Sequence, residues 1–354
     1  MYDKWLLDDT KLLWHPDRLA AFIRGERVNP ILIDAGIHKA CNIHCKFCYG
    51  VKQIKSAGFI PEDRLLMLAD DMLNAGIKAI AVIGDGEPTM NKGLYSFVQR
   101  LKSHGIDAAV ATNGLMLNED KIKILTSSLV WLRFNISAIG RYEEIMGAPL
   151  GSFERFEAIV KQAIKYRGDC TIGLQSVLIP EGFSDILPLA KKAVEWGVDY
   201  LVIKQFSDGG LGMPMHFDMD EYKKAKECLE AAQSLSTDKT AIIIKWQAME
   251  DSTNITKKKK WGFKRCIDLP FLFQISGDGG CYPCGYFFGN KDFCYGNVCD
   301  QRLRDILKSD RYWAVIKKCA DTPLEKLCTG QCRHCVSNKV LNKLVEGIPH
   351  QNFI

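Results

Sequence analysis

An α/β fold built on a parallel sheet is what this sequence predicts, and three observations carry the prediction. Between residues 30 and 205, continuous β-branched and apolar runs alternate with segments whose apolar residues recur every three or four positions. The unusual polar and glycine-rich stretches fall just after the apolar runs, where parallel α/β folds place their working sites. Cysteines are sparse through this alternating part and dense after it.

The strand runs are Ile31 to Ala35, Ala79 to Ile83, Ala108 to Thr112, Val130 to Ile136, Thr171 to Leu178 and Tyr200 to Lys204. Between them lie amphipathic segments such as PEDRLLMLADDMLNAG and SDILPLAKKAVEWG. Continuous apolar strands separated by helices argue for strands covered on both faces. Six such units fit either most of a barrel or a doubly wound sheet, and periodicity alone does not choose. The segments AGIHKACNIHC, GDGEPT and TNG follow the first, second and third runs and should converge on one mouth. From about Ser207 to Arg265 the pattern loosens: Gly209, Gly210, Gly212 and Pro214 mark a connection, and AIIIKWQAM reads as one more strand. The expected organisation is an N-terminal extension (1–29), an α/β unit (30–206), a connecting segment (207–265) and a Cys-rich part with a C-terminal tail (266–354). The Cys-rich part shows little regular pattern and should need metal to hold it together.

Composition narrows the class. The 354 residues are 47% hydrophobic and 25% charged, the profile of a folded globular chain. No apolar run approaches the ~20 residues of a membrane span. The start, MYDKWLLDDTKLLWHPDR, lacks the small-residue cleavage site of a signal peptide. A net charge of +5, much of it in Lys257 to Lys260, reads as a solvated loop and not as a nucleic-acid surface. Fourteen cysteines without an export signal point to metal ligands or catalytic thiols in a reducing, cytoplasmic setting.

The first cysteine group is Cys41-Asn-Ile-His-Cys45-Lys-Phe-Cys48-Tyr49-Gly50. Three thiolates on a short loop suit three irons of a cubane cluster and leave the fourth open for a ligand. Zinc competes, since it also takes thiolates and would recruit His44. The spacing i, i+4, i+7 also suits one face of a helix, with the cysteines packed as small apolar side chains. Against packing, the segment follows directly on a strand and ends in Tyr-Gly.

CxxxCxxC with an aromatic residue after the last cysteine resembles the signature of the radical S-adenosylmethionine (SAM) superfamily. Gly84-Asp85-Gly86-Glu87-Pro88-Thr89 is similar to the family's GGEP segment, with Asp85 departing from the usual paired glycines. The resemblance covers roughly residues 30 to 206. It implies a partial (β/α)6 TIM-like barrel, a 4Fe–4S cluster held by Cys41, Cys45 and Cys48, and SAM on the open iron. It also implies SAM contacts from Tyr49, Gly84, Asp85, Gly86 and Glu87, from Asn113 and Ser137 after the third and fourth strands, and from Gln175 and Lys204 on later ones. The implied chemistry is reductive cleavage of SAM to a 5′-deoxyadenosyl radical that takes a hydrogen atom from a substrate carbon. A low-potential donor such as flavodoxin or ferredoxin is the implied partner.

Nine further cysteines lie between Cys266 and Cys335. Cys266 through Gly279 to Cys284 resembles the opening of the SPASM and twitch auxiliary-cluster domains. That resemblance implies a small Cys-rich domain with at least one auxiliary 4Fe–4S cluster, on Cys266, Cys284, Cys332 and Cys335, with Cys328 close behind. A structural zinc ribbon is the alternative, because CxxC pairs also suit zinc.

The expected reaction is dehydrogenation or epimerisation of a carbohydrate or aminocyclitol-like small molecule, because the 40 residues before Cys41 leave no room for a leader-binding domain. The alternative is a peptide or protein maturase of the RiPP or sulfatase-maturase kind. Epimerisation would need a thiol as hydrogen donor, for which Cys170, Cys281 and Cys294 are candidates. The contrasting reading, an iron–sulfur electron carrier or zinc module, leaves GDGEPT and TNG without a purpose.

Overall fold

The structure, a computed structural model, describes residues 9–48, 50, 58–206, 219–246, 261–328, 334–347, 349, 350 and 352. Tyr49, Cys332 and the 207–218 connection therefore lie outside the described residues. The six apolar runs become β1 (Leu32–Ala35), β2 (Ala79–Val82), β3 (Asp107–Thr112), β4 (Trp131–Asn135), β5 (Thr171–Leu178) and β6 (Tyr200–Gln205). They lie side by side in chain order, and every neighbouring pair is parallel. β7 (Ala241–Ile244), from the AIIIKWQAM segment, continues the sheet beyond β6.

On the other side of β1 the sheet does not stop. β8 (Leu272–Ile275) pairs parallel with β1, and β9 (Gly280–Tyr282) and β10 (Gly296–Asn297) follow as antiparallel strands. The order is β10-β9-β8-β1-β2-β3-β4-β5-β6-β7, an open sheet. Among the described residues eight strands are thus parallel, one more than the six units and the AIIIKWQAM strand read from the sequence. The difference arises because the apolar FLFQI run after Cys266 adds to the free edge of β1.

The returns between strands are helical: α1 (Pro16–Ile23) precedes β1, then come α2 (Glu62–Ala75), α3 (Leu94–Ser103), α4 (Glu119–Ser128), α5 (Tyr142–Met146), α6 (Ser152–Lys165), α7 (Ile186–Trp196) and α8 (Met219–Gln233). Alternate strand residues such as Ile33, Val82, Val110, Phe134, Leu174 and Ile203 are fully buried (0% exposed) in one core with these helices. Burial on that scale contributes about 1.5–3 kcal/mol per large side chain.

The part after residue 300 is more regular than its sequence pattern suggested. It forms α9 (Leu303–Lys308), α10 (Asp310–Asp321), α11 (Leu324–Leu327) and α12 (Cys335–Glu346). Ser309 caps α10 by accepting from the Tyr312 N–H at 3.2 Å, and Tyr312, Val315, Ile316 and Cys319 give that helix a buried stripe. Two arginines fasten this part to α2. Arg302 grips the buried Asp71 at 2.7 and 2.9 Å, and Arg64 donates to the carbonyls of Val298 and Gln301. Among the described residues no helix is long and apolar enough to cross a membrane.

Candidate active site

The loop after β1 carries the first cysteine group at the carboxyl end of the sheet, where the polar segments were expected to meet. Residues 41–48 form turns and bends, not a helix, so one packed helix face does not account for their spacing. The Cys48 N–H closes a turn on the Cys45 carbonyl at 3.0 Å. Burial pushes the Cys41 thiol up to about 11, with Glu87 and Cys48 adding to the effect. Cys45 is driven higher still by burial and then by Cys48 and Cys41. Cys41 and Cys45, so placed in the fields of neighbouring thiols and partly out of water, are a poor home for bare anions. They fit a cationic iron centre, which would neutralise the thiolates.

α5 braces this loop from outside. The His44 N–H donates to the Gly147 carbonyl at 3.1 Å and the Lys46 N–H to that of Ile145 at 3.0 Å. Gly147 ends the helix at φ 58°, and a Cβ there would sit 2.1 Å from the His44 oxygen, so only glycine suits this close approach.

The loop after β2 passes directly under the loop after β1. A Cβ on Gly84 would fall 2.0 Å from Gly36 Cα, and one on Gly86 would fall 2.1 Å from the His38 oxygen. The glycines of GDGEPT therefore serve backbone-to-backbone packing. Asp85 is buried and pairs with the equally buried Lys39, and its Oδ1 accepts from the Gly277 N–H at 2.8 Å. Glu87 is buried (3% exposed). Its Oε1 accepts from the Thr89 and Thr112 hydroxyls, at 2.6 and 2.5 Å, and its Oε2 from the Asn113 N–H at 2.8 Å. Burial raises its carboxyl above the ordinary value despite these donors. The Asn113 amide reaches the Asn42 side chain at 2.8 Å and the Cys41 sulfur at 3.7 Å. Glu87 and Asn113 thus tie the third strand's end to the cysteine loop.

Strand register places a second set of residues on the face opposite the helix-packed one. Asp34 lies level with Ala81 and Gln274, Ala111 with Arg133, Asn135 with Gln175, and Val177 with Lys204. A side-chain bond from Gln175 to Asn135 at 3.2 Å joins two of them. Arg133 lies over the Trp131 ring at 5.1 Å. Alanines at 81, 109 and 111 keep the side chains of this face small on β2 and β3. Ser137, by contrast, spends its hydroxyl accepting from the Val177 N–H at 3.0 Å. The sequence reading passed over Arg133 and Asn135, although polar residues alternating inside WLRFN signal a strand with one wet face. It also passed over Lys39 and α5; the only signal for α5 is the glycine that ends RYEEIMG.

Seven of the described C-terminal thiols fall into two gatherings. Cys266 lies within electrostatic range of Cys284, Cys319 and Cys328, and Cys281 of Cys294 and Cys299 beside the β9–β10 hairpin. Burial pushes Cys284 and Cys319 up to about 12. Around Cys266 a polar network is closed by α12. Asn338 donates to Asp268 at 2.8 Å and reaches the Cys266 sulfur at 3.9 Å, and His334 meets Asp268 at 2.7 Å. Cys335 begins that helix. The first gathering fits an auxiliary cluster for the same reason as the first loop. Cys170 is buried just before β5 begins, at the opposite end of the sheet from the Cys41 loop, which takes it out of reach as a hydrogen donor. Cys281 is sealed in the core (0% exposed), and Cys294 turns its thiol to the Gly296 carbonyl at 3.3 Å.

Comparison with known proteins adds the following. The family model of the radical SAM superfamily matches residues 37–193, and that of the SPASM iron–sulfur cluster-binding domain matches residues 266–335. The chain is 23% identical over 325 residues to the tungsten-containing aldehyde ferredoxin oxidoreductase cofactor-modifying protein of Pyrococcus furiosus, covering 82% of this chain and 87% of that one. It is 26% identical over 205 residues to a probable GTP 3′,8-cyclase of Sulfurisphaera tokodaii, covering 57% of this chain and 63% of the cyclase. In fold it is similar to Streptococcus suis SuiB bound to S-adenosylmethionine, with a TM-score of 0.67 and 16% identity over 91% of this chain and 78% of SuiB. It is likewise similar to anSMEcpe with bound AdoMet, with a TM-score of 0.61 and 17% identity over 88% of this chain and 90% of anSMEcpe.

Proposed function

We propose, for a chain that is a radical SAM enzyme with a SPASM domain C-terminal to its radical SAM domain, that it matures a peptide or protein by oxidising a carbon–hydrogen bond of one of its residues. Its cofactors are SAM, a 4Fe–4S cluster and auxiliary iron–sulfur clusters. In this reading Cys41, Cys45 and Cys48 hold the SAM-binding cluster, and Cys266 and Cys284 contribute to an auxiliary one. When bound, the cluster and SAM supply a 5′-deoxyadenosyl radical able to take a hydrogen atom from an unactivated carbon.

One observation carries the proposal. The Cys-rich part is built onto the same sheet as the first cluster loop, strand to strand. The Gly36 N–H donates to the Ile275 carbonyl at 2.7 Å, and the turn after β8 is bonded through Gly277 to Asp85. The auxiliary half is therefore fixed to the sheet that carries the Cys41 loop, with Cys281 in β9 and Cys284 just beyond it. An auxiliary cluster held on that sheet would take up the electron left on the substrate once its hydrogen atom is removed, which is an oxidation. Asn135, Gln175 and Lys204 share the sheet face opposite the helices and would orient SAM or substrate through their amides and ammonium. Glu87 and Asn113 tie the cysteine loop to the end of β3. Cys294, two residues before β10, is the remaining candidate hydrogen donor.

The choice of a peptide over a carbohydrate or aminocyclitol is supported by the neighbours in fold. One SuiB structure holds the precursor peptide SuiA and one anSMEcpe structure holds a Cp18Cys peptide. A low-potential carrier of the flavodoxin or ferredoxin kind is the proposed electron donor.

The test is anaerobic incubation of the reconstituted protein with SAM, dithionite and peptides encoded beside its gene. A peptide lighter by two hydrogens, formed together with 5′-deoxyadenosine, is the expected product. 5′-Deoxyadenosine without any change in the mass of a peptide, alongside turnover of a sugar or aminocyclitol, would refute the substrate class.

A further inference from the structure

The brace on the cysteine loop contains a group that nothing in the fold uses. Tyr142 opens α5, the helix whose last carbonyls hold His44 and Lys46. It is fully buried (0% exposed), with its ring packed on Phe153 and Phe156 at 5.6 and 5.5 Å. Among the described residues its hydroxyl has no hydrogen-bond partner. Buried polar groups nearly always find one, and an orphan costs about 1–3 kcal/mol. Packing needs only the ring, so phenylalanine would serve α5 better unless the hydroxyl meets something.

After burial itself, the charge of the Cys45 sulfur acts on that hydroxyl more strongly than those of Glu143 and Glu87. Both carboxylates are engaged elsewhere, Glu143 with the Phe153 N–H at 3.0 Å and Glu87 with Thr89, Thr112 and Asn113. As a thiol, Cys45 is a weak acceptor. As a metal-bound thiolate it carries charge, and hydrogen bonds to ionised acceptors are roughly twice as strong as neutral ones.

We propose that the Tyr142 hydroxyl donates a hydrogen bond to the Cys45 sulfur, or to the sulfide beside it, when the cluster is bound. Tyr142 is then a positioning residue that eases reduction, because a donor at sulfur offsets the added negative charge of the reduced state. The inference rests on Cys45 being a cluster ligand.

The experiment compares reconstituted wild type with Tyr142→Phe at matched iron and sulfide content. The readouts are an equilibrium redox titration followed by EPR, and proton ENDOR of the reduced cluster in H2O and D2O. Tyr142→Phe should lower the reduced-to-oxidised ratio about tenfold at fixed potential, which is about 59 mV for a one-electron couple. It should also remove one exchangeable proton coupling. 3-Fluorotyrosine at position 142, a more acidic donor of nearly the same volume, should shift the ratio the other way and keeps the test open if the Phe variant folds poorly. Unchanged potential and unchanged couplings in either variant would overturn the proposal. Failure of the ligand assignment looks different: Cys45→Ala would still bind a full cluster.

Discussion

Lys39 and Asp85 form an ion pair sealed between three loops, with their side chains only 4% and 2% exposed. Lys39 stands two residues before the first cysteine of the loop, Asp85 stands in the turn after β2, and the second oxygen of Asp85 holds Gly277 of the Cys-rich part. The Lys39 ammonium also lies over the Phe288 ring at 5.8 Å. One pair thus joins the first cluster loop to the auxiliary half.

Removing one member of a buried pair leaves an uncompensated charge, typically at a cost of about 3–5 kcal/mol. Lys39→Met and Asp85→Leu should each lower stability by about that amount in urea unfolding of the reconstituted protein. The double variant should lose much less than the sum. Additive losses would mean the two side chains do not act together.

Glu87 predicts a pH signature. Its folded carboxyl sits above the ordinary value because of burial, so the native state keeps a proton that the unfolded chain gives up. Stability should therefore fall as pH rises through the ordinary carboxylate value, and level off above the folded one. Glu87→Gln should abolish that slope. It should also cost about 1–3 kcal/mol at low pH, since the amide turns an N–H toward donors. Parallel stability profiles of the two proteins between acid and neutral pH would contradict the assignment.

The two thiol gatherings predict different iron counts. Cys266→Ala and Cys284→Ala should each lose about four irons per chain, the content of one cubane, and retain SAM cleavage. Cys319→Ala and Cys328→Ala should do the same if the gathering around Cys266 is the ligand set. Cys170→Ala should leave iron unchanged. Equal iron in wild type and Cys266→Ala would remove the auxiliary site from the place argued for it.

Gly147 tests the brace. Alanine at φ 58° is strained, and its Cβ would meet the His44 oxygen at 2.1 Å. The cost should exceed the about 1 kcal/mol of an ordinary left-handed substitution, and the first cluster should become labile to chelators. Wild-type chelation rates in Gly147→Ala would show that α5 does not hold the loop.

Much of this was legible in the residues. Apolar continuity marked all six expected strands, since strands covered on both faces leave no polar alternation to misread. AIIIKWQAM likewise announced β7. CxxxCxxC and GDGEPT marked the mouth because few structural roles ask for such residues there. Less could be read where the meaning lies in three dimensions. Nothing in FLFQI says that it will pair with β1 and not with a neighbour of its own. Nothing in GDGEPT says that Glu87 turns inward to Thr112 and Asn113, or that Asp85 has Lys39 for a partner. Helices α10 and α12 were hidden by their cysteines, Cys319 and Cys335, which pointed toward metal and away from the amphipathic pattern of RYWAVIKKCA.

The central claim is that Cys41, Cys45 and Cys48 make this chain a SAM-cleaving enzyme. Its most direct test is anaerobic reconstitution with iron and sulfide, addition of dithionite and SAM, and detection of 5′-deoxyadenosine. Wild type should form 5′-deoxyadenosine, and the variant with all three cysteines changed to alanine should form none. No cleavage by wild type, or equal cleavage by both, would contradict the account.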